Sequence, residues 1–187
     1  RASYNSNHFY KFNFKIPDGI NISNNDSEIY LILDISGSMG GVIQQVKTAL
    51  KALLNKLSAD SNIRLYTFES SPHFIYAGKN NSSLHSKIDM ISSYGGTNFS
   101  NINKMVANDI QKSKFKNVNI IYFTDGCDGS SWSYYGSSSK DTSNYCIDNL
   151  KAAFRNKNSR IFSIGFTSSH DAKFIGKLTS SGTQDGL

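Results

Sequence analysis

Cysteine is scarce in this chain. Its 187 residues include two, Cys127 and Cys146, too few for a disulfide framework or a thiolate zinc centre. They flank a Ser/Tyr/Gly-rich loop, where a bridge and two free thiols both remain open. Long apolar runs are missing as well. The most apolar stretches, residues 29–35 and 118–123, are strand-sized and fall far short of the roughly 18 residues that a membrane-spanning helix needs. No basic segment followed by an apolar stretch opens the chain, so no signal peptide is read there.

Acidic residues are outnumbered: 14 Asp and Glu against 20 Lys and Arg give a net charge of +6. The excess does not form a basic stripe interleaved with aromatics, the pattern that stacks bases along a charged groove. Its densest cluster, Lys112, Lys114 and Lys116, precedes an apolar run and reads as a solvated helix end. No nucleic acid partner is expected. The four histidines, His8, His73, His85 and His170, are scattered and lack the i,i+4 pairing of a zinc helix. Several enzyme signatures are absent too. Position 36 is Ser where a DxDxT phosphotransfer nucleophile motif requires a second carboxylate, and no phosphate-cradling Gly-x-x-x-x-Gly-Lys-Ser/Thr loop, Gly-x-Ser-x-Gly elbow or dinucleotide fingerprint occurs. Catalysis is therefore not expected.

What remains is a regular alternation. Tyr10, Phe12, Phe14 and Ile16 alternate with polar residues, as in a half-exposed strand, and Pro17-Asp18-Gly19 ends it. Residues 29–35, Ile-Tyr-Leu-Ile-Leu-Asp-Ile, are apolar except for one carboxylate; such a strand is covered on both faces and central. Val42, Val46, Leu50, Leu53, Leu54 and Leu57 have helical spacing. Residues 63–68 and 73–76 read as strands joined by the short turn Glu69-Ser70-Ser71-Pro72, making one antiparallel. Leu84, Ile88 and Ile91 mark a short helix. Ile102, Val106 and Ile110 mark another, before a strand at 118–124. A helix at 145–154, a strand at 160–166 and a helix at 172–178 complete the series. This predicts one α/β domain over residues 28–187. It has a doubly wound, mostly parallel sheet, one antiparallel edge strand and helices on both faces. Residues 1–27 form an extra N-terminal strand and linker. Because the chain stops just after a helix, the expectation includes a domain cut short at its C-terminal end.

In such sheets ligands bind beyond the carboxyl ends of the strands. The first strand ends in Asp34-Ile35-Ser36-Gly37-Ser38, Gly95-Gly96 leads into Thr97, and the strand at 118–124 ends in Thr124-Asp125-Gly126. Asp34 and Asp125 each close an apolar strand, where an unpaired charge is costly. Helix capping and turn chemistry explain each residue alone; a cation explains both carboxylates together. Two carboxylates and three hydroxyls form a hard oxygen site suited to Mg²⁺, with Mn²⁺ or Ca²⁺ as alternatives, rather than to zinc. Five protein oxygens leave room for water or an incoming ligand oxygen.

These three segments resemble the metal-ion-dependent adhesion site of von Willebrand factor A domains, with all five expected positions present, and the likeness extends over about residues 28–182. The resemblance implies a Rossmann-like fold. It also implies that Ser36 and Ser38 ligate the cation directly and that Asp34, Thr97 and Asp125 do so directly or through water. The partner would be a protein presenting Asp or Glu. The alternatives are a structural subunit whose metal braces the loops and a Mg²⁺-dependent phosphoryl-transfer enzyme. Asp128 reads as a turn residue, while Trp132, Tyr134 and Tyr135 could anchor a partner or pack within their loop. A glycan on Asn98 would obstruct Thr97, which tilts the reading toward an intracellular setting.

Overall fold

The computed structural model describes residues 26–126, 142–166 and 172–184, with backbone alone for 142–146. The expected N-terminal strand, Cys127, Asp128, Trp132, Tyr134, Tyr135 and the side chain of Cys146 lie outside the described residues. The elements run β1 (Ser27–Asp34), a 3-10 turn (Gly37–Gly41), α1 (Ile43–Leu54), β2 (Asn62–Phe68), β3 (Pro72–Lys79), α2 (Ser82–Asp89), α3 (Phe99–Lys112), β4 (Asn117–Thr124), α4 (Thr142–Ala153), β5 (Asn158–Gly165) and α5 (Ala172–Thr179). The sheet order is β3-β2-β1-β4-β5. All pairs are parallel except β2–β3, as the alternation of apolar periods predicts.

Every residue of β1 is buried, because the strand is flanked by β2 and β4 and covered by helices above and below. Successive side chains of a strand point to opposite faces, and the core divides accordingly. Ile29, Leu31 and Leu33 pack with Val46, Leu50 and Leu54 of α1 and Leu84 and Ile88 of α2. Tyr30 and Ile32 pack with Phe99, Ile102 and Val106 of α3, Leu150 of α4 and Phe174 of α5. Each such side chain contributes about 1.5–3 kcal/mol by leaving water, so both helical layers are held to the sheet mainly by their apolar stripes.

Two asparagines set helix starts. The Asn81 Oδ1 accepts from the Ser83 and Leu84 backbone N–H groups at 3.0 and 3.3 Å, and the Asn98 Oδ1 accepts from the Asn101 N–H at 3.0 Å, satisfying donors that a helix leaves free in its first turn. Among the described residues no helix is long and apolar enough to cross a membrane. The order of the strands reverses at β1, with β2 on one side and β4 on the other. In open α/β sheets such a reversal point, at the carboxyl ends of the strands, is where ligands bind.

Candidate functional site

The reversal point is bordered by the ends of β1 and β4. Asp34, the last residue of β1, is fully buried, as is Thr124, the last of β4; Ser36 and Asp125 are nearly so. The Asp34 carboxylate accepts from the Ser36 backbone N–H through Oδ1 at 2.9 Å and from the Thr124 hydroxyl through Oδ2 at 2.7 Å. The Thr124 Oγ1 accepts in turn from the Gly126 N–H at 2.8 Å. Gly126 adopts φ of 74°, a left-handed turn that costs glycine little.

From Ser36 the chain enters the 3-10 turn, which sets the Ser36 and Ser38 hydroxyls 3.0 Å apart. Ser36 is buried and Ser38 exposed, so this hydroxyl pair runs from the interior to the surface. The loop bearing Thr97 lies alongside. The Gly37 N–H donates to the Gly95 carbonyl at 3.0 Å, and the Tyr94 N–H to the Ile35 carbonyl at 2.7 Å. Thr97 is half-buried; among the described hydrogen bonds none joins its hydroxyl to the other four side chains. Asp34, Ser36, Ser38 and Asp125 thus stand at the carboxyl end of the two adjacent strands β1 and β4, and Thr97 on a loop bonded to the segment after β1.

The electrostatics explain why such a cluster calls for a counter-charge. Burial raises the Asp34 carboxyl from 3.8 to about 6; hydrogen bonds from Ser36 and Thr124 oppose this, while the neighbouring Asp125 charge adds to it. No cationic side chain among the described residues forms an ion pair with Asp34. Nor do the described residues contain a cluster of three or more His, Cys, Asp or Glu side chains able to hold a metal. The donor set here is two carboxylates with hydroxyls, which fits a hard divalent cation that keeps part of its shell for water or a ligand.

One further carboxylate escapes notice in the sequence. Glu69 follows β2 and is buried. Its side chain accepts from the Ser70 N–H and meets His73 Nε2 at 3.1 Å. Its carbonyl accepts from the Asn98 N–H at 2.9 Å. Burial raises the Glu69 carboxyl, but His73 and the backbone N–H groups of Ser70 and Ser71 outweigh it and hold it below the usual range. Gly95, with φ of 75°, packs so closely that a Cβ there would lie 2.7 Å from Oε2 of Glu69. Glu69 therefore braces this loop on either side of Thr97, at Gly95 and at Asn98. The signal was available: like Asp34 and Asp125, it ends an apolar strand, but it reads first as part of a hairpin turn.

A family model, the von Willebrand factor type A domain, matches residues 29–129, more than half of the chain. The chain belongs to this family. Solved structures share the fold. A von Willebrand factor type A protein from Catenulispora acidiphila superposes with a TM-score of 0.67 at 16% identity, covering 86% of this chain and 37% of that one. The pilus adhesin SpaC from Lactobacillus rhamnosus GG, in its open conformation, gives 0.67 at 16%, covering 89% and 28%. The conserved hypothetical protein BatB from Bacteroides thetaiotaomicron gives 0.62 at 14%, covering 86% and 89%. This A domain thus spans 37% and 28% of the length of the first two. At these identities the likeness is one of fold. No curated protein matches the sequence.

Proposed function

We propose that this A domain is a metal-dependent protein-binding module. Asp34, Ser36, Ser38, Thr97 and Asp125 hold one divalent cation, Mg²⁺ in the first instance, and a partner protein supplies an Asp or Glu carboxylate to its open position. The observation that carries this reading is the neighbouring pair of buried carboxylates, Asp34 and Asp125, at the reversal point of the strand order. A buried carboxylate without a counter-charge costs several kcal/mol, and among the described residues Asp34 has none; a divalent ion would supply it. The bound ion supplies a positive charge that attracts an acidic side chain.

The chain's own residues do the rest. Thr124 and the Ser36 N–H orient the Asp34 carboxylate, the 3-10 turn places two hydroxyls side by side, and Glu69 holds the third loop near them. Ser36 stands where a phosphotransfer nucleophile motif needs a second carboxylate, which favours binding over phosphoryl transfer. The presence of a pilus adhesin among proteins of the same fold is in keeping with an adhesive role.

The test is thermal unfolding with and without Mg²⁺. Millimolar Mg²⁺ is expected to raise the melting temperature of the wild-type chain and leave Asp125→Asn unmoved, because an ion that binds only the folded state stabilises it by mass action. Equal responses of the two proteins, or none in the wild type, would remove the cation from the reading.

A further inference from the structure

A groove of about 480 Å³ opens at the same end of the sheet, between β3 and the segment that leaves α2. That volume falls within the roughly 300–1,000 Å³ of ligand clefts. Ile35, Ile75 and Ile91 line it together with Met90, Tyr94 and Lys87. Ile35 directly follows Asp34, and Tyr94 precedes Gly95 in the loop that carries Thr97. The bonds from the Tyr94 N–H to the Ile35 carbonyl and from the Gly37 N–H to the Gly95 carbonyl tie these segments together. The groove and the candidate cation site share this wall.

Its surroundings indicate what enters. Met90 is 83% exposed, Tyr94 52% and Phe74 51%; these are the large hydrophobic residues exposed among the described residues, and all three line the groove. Apolar side chains gathered around one concavity mark an interaction surface, whereas scattered ones do not. Met adapts to varied shapes and Tyr supplies a stiff amphipathic face, both common at interface anchors. The nearby acids are already engaged. Asp89 pairs with the Lys51 Nζ at 2.5 Å and its carbonyl accepts from the Lys47 Nζ at 3.0 Å, while Glu69 is held by His73 and Ser70. Lys87 forms no ion pair with the described residues. Its charge is left to favour an acidic visitor.

Resting on the cation reading above, we infer that this groove is the second anchor for the partner segment whose carboxylate meets the cation. That segment is acidic and carries a large apolar side chain, which fills the groove between Met90 and Tyr94 with Lys87 at its rim. The carboxylate provides metal dependence, and the apolar anchor provides choice among acidic partners, since a few buried anchors dominate binding energy.

A random peptide library displayed on phage, selected against the whole chain in Mg²⁺, tests this. Enriched sequences are expected to combine Asp or Glu with a large apolar residue. A synthetic copy of the dominant sequence should bind the Met90→Ser/Tyr94→Ser protein at least about tenfold more weakly, with the Mg²⁺-induced rise in melting temperature unchanged. Acidic peptides without an apolar preference, or equal affinity for the double variant, would overturn the groove and leave the cation reading intact. An empty selection overturns the groove too, the cation then being judged by melting alone. Peptides that depend on Met90 and Tyr94 but bind equally in EDTA would overturn the coupling to the cation.

Discussion

Asp34 accepts two hydrogen bonds, yet burial and the Asp125 charge still raise its carboxyl from 3.8 to about 6. The folded state therefore holds that proton more tightly than the unfolded chain. Between about pH 4 and pH 6 the native protein binds more protons, and stability falls as pH rises. In metal-free protein the loss is complete above about pH 6 and on the order of 3 kcal/mol. Urea unfolding in EDTA across this window should show the Asp34 contribution to the decline in the wild type and its loss in Asp34→Asn; parallel profiles would refute it. Glu69 acts in the opposite sense. Its lowered carboxyl contributes stability above its unfolded value of 4.5, and this is lost on further acidification. Thr124 offers a sharper test, because its hydroxyl donates to Asp34 and accepts from Gly126. Thr124→Val keeps the shape but leaves a buried carboxylate oxygen and an N–H unpartnered, at a cost of about 2–4 kcal/mol. Denaturant midpoints read this directly, and no change would show that the bridge is dispensable.

At the scale of elements, the loop between α2 and α3 is the most exacting. Gly95 has φ of 75° and no space for a Cβ beside Glu69. Gly95→Ala combines left-handed strain with a clash and should cost about 1–3 kcal/mol. It should also weaken Mg²⁺ binding, seen as a smaller rise in melting temperature, because Thr97 moves with the loop. Unchanged stability would mean that the loop relaxes freely. Regular elements were legible in the sequence because burial imposes period: β1 as an unbroken apolar run, α1 and α3 as stripes at helical spacing. Two features were not. β3 extends over Pro72–Lys79, beyond the expected 73–76, because its ends are defined by pairing with β2 rather than by apolar residues. The irregular pairing at Leu65/Tyr66 leaves no mark in composition. Asp34, Ser36 and Ser38 were legible as candidates because they are contiguous, and Asp125 because it ends an apolar strand. The Thr124 bridge and the Glu69 brace depend on contacts between residues distant in the chain.

Across the whole molecule, charge is buried at both ends of the sheet by different means. At the amino end of β1, Glu28 accepts from Arg64 Nε at 2.8 Å and from the Tyr30 and Ser113 hydroxyls, each at 2.7 Å. Tyr66 donates to Asp109 at 2.6 Å and its ring stacks on Tyr30 with centroids 6.1 Å apart. Burial, with Glu28 adding to it, pushes the Tyr30 hydroxyl above its ordinary range, so it remains a donor. Residues 28, 64, 66, 109 and 113 are spread over β1, β2, α3 and the residue that follows α3, which is why no motif revealed them. Here protein side chains neutralise one another; at the carboxyl end no Arg or Lys among the described residues takes that role for Asp34. Glu28→Gln turns one acceptor into a donor facing Arg64. Discounted for the partial exposure of Arg64, this should lower stability by about 2–3 kcal/mol. Glu28 and Asp34 lie six residues apart on one strand, about 20 Å at strand rise and twice the roughly 8–10 Å screening length at physiological salt. The Mg²⁺ concentration that gives half the melting-temperature rise should therefore be the same in Glu28→Gln as in the wild type, although both melting curves shift down. If the two losses instead move together, the sheet couples its ends, and stability and cation binding cannot be treated as separate properties of opposite edges.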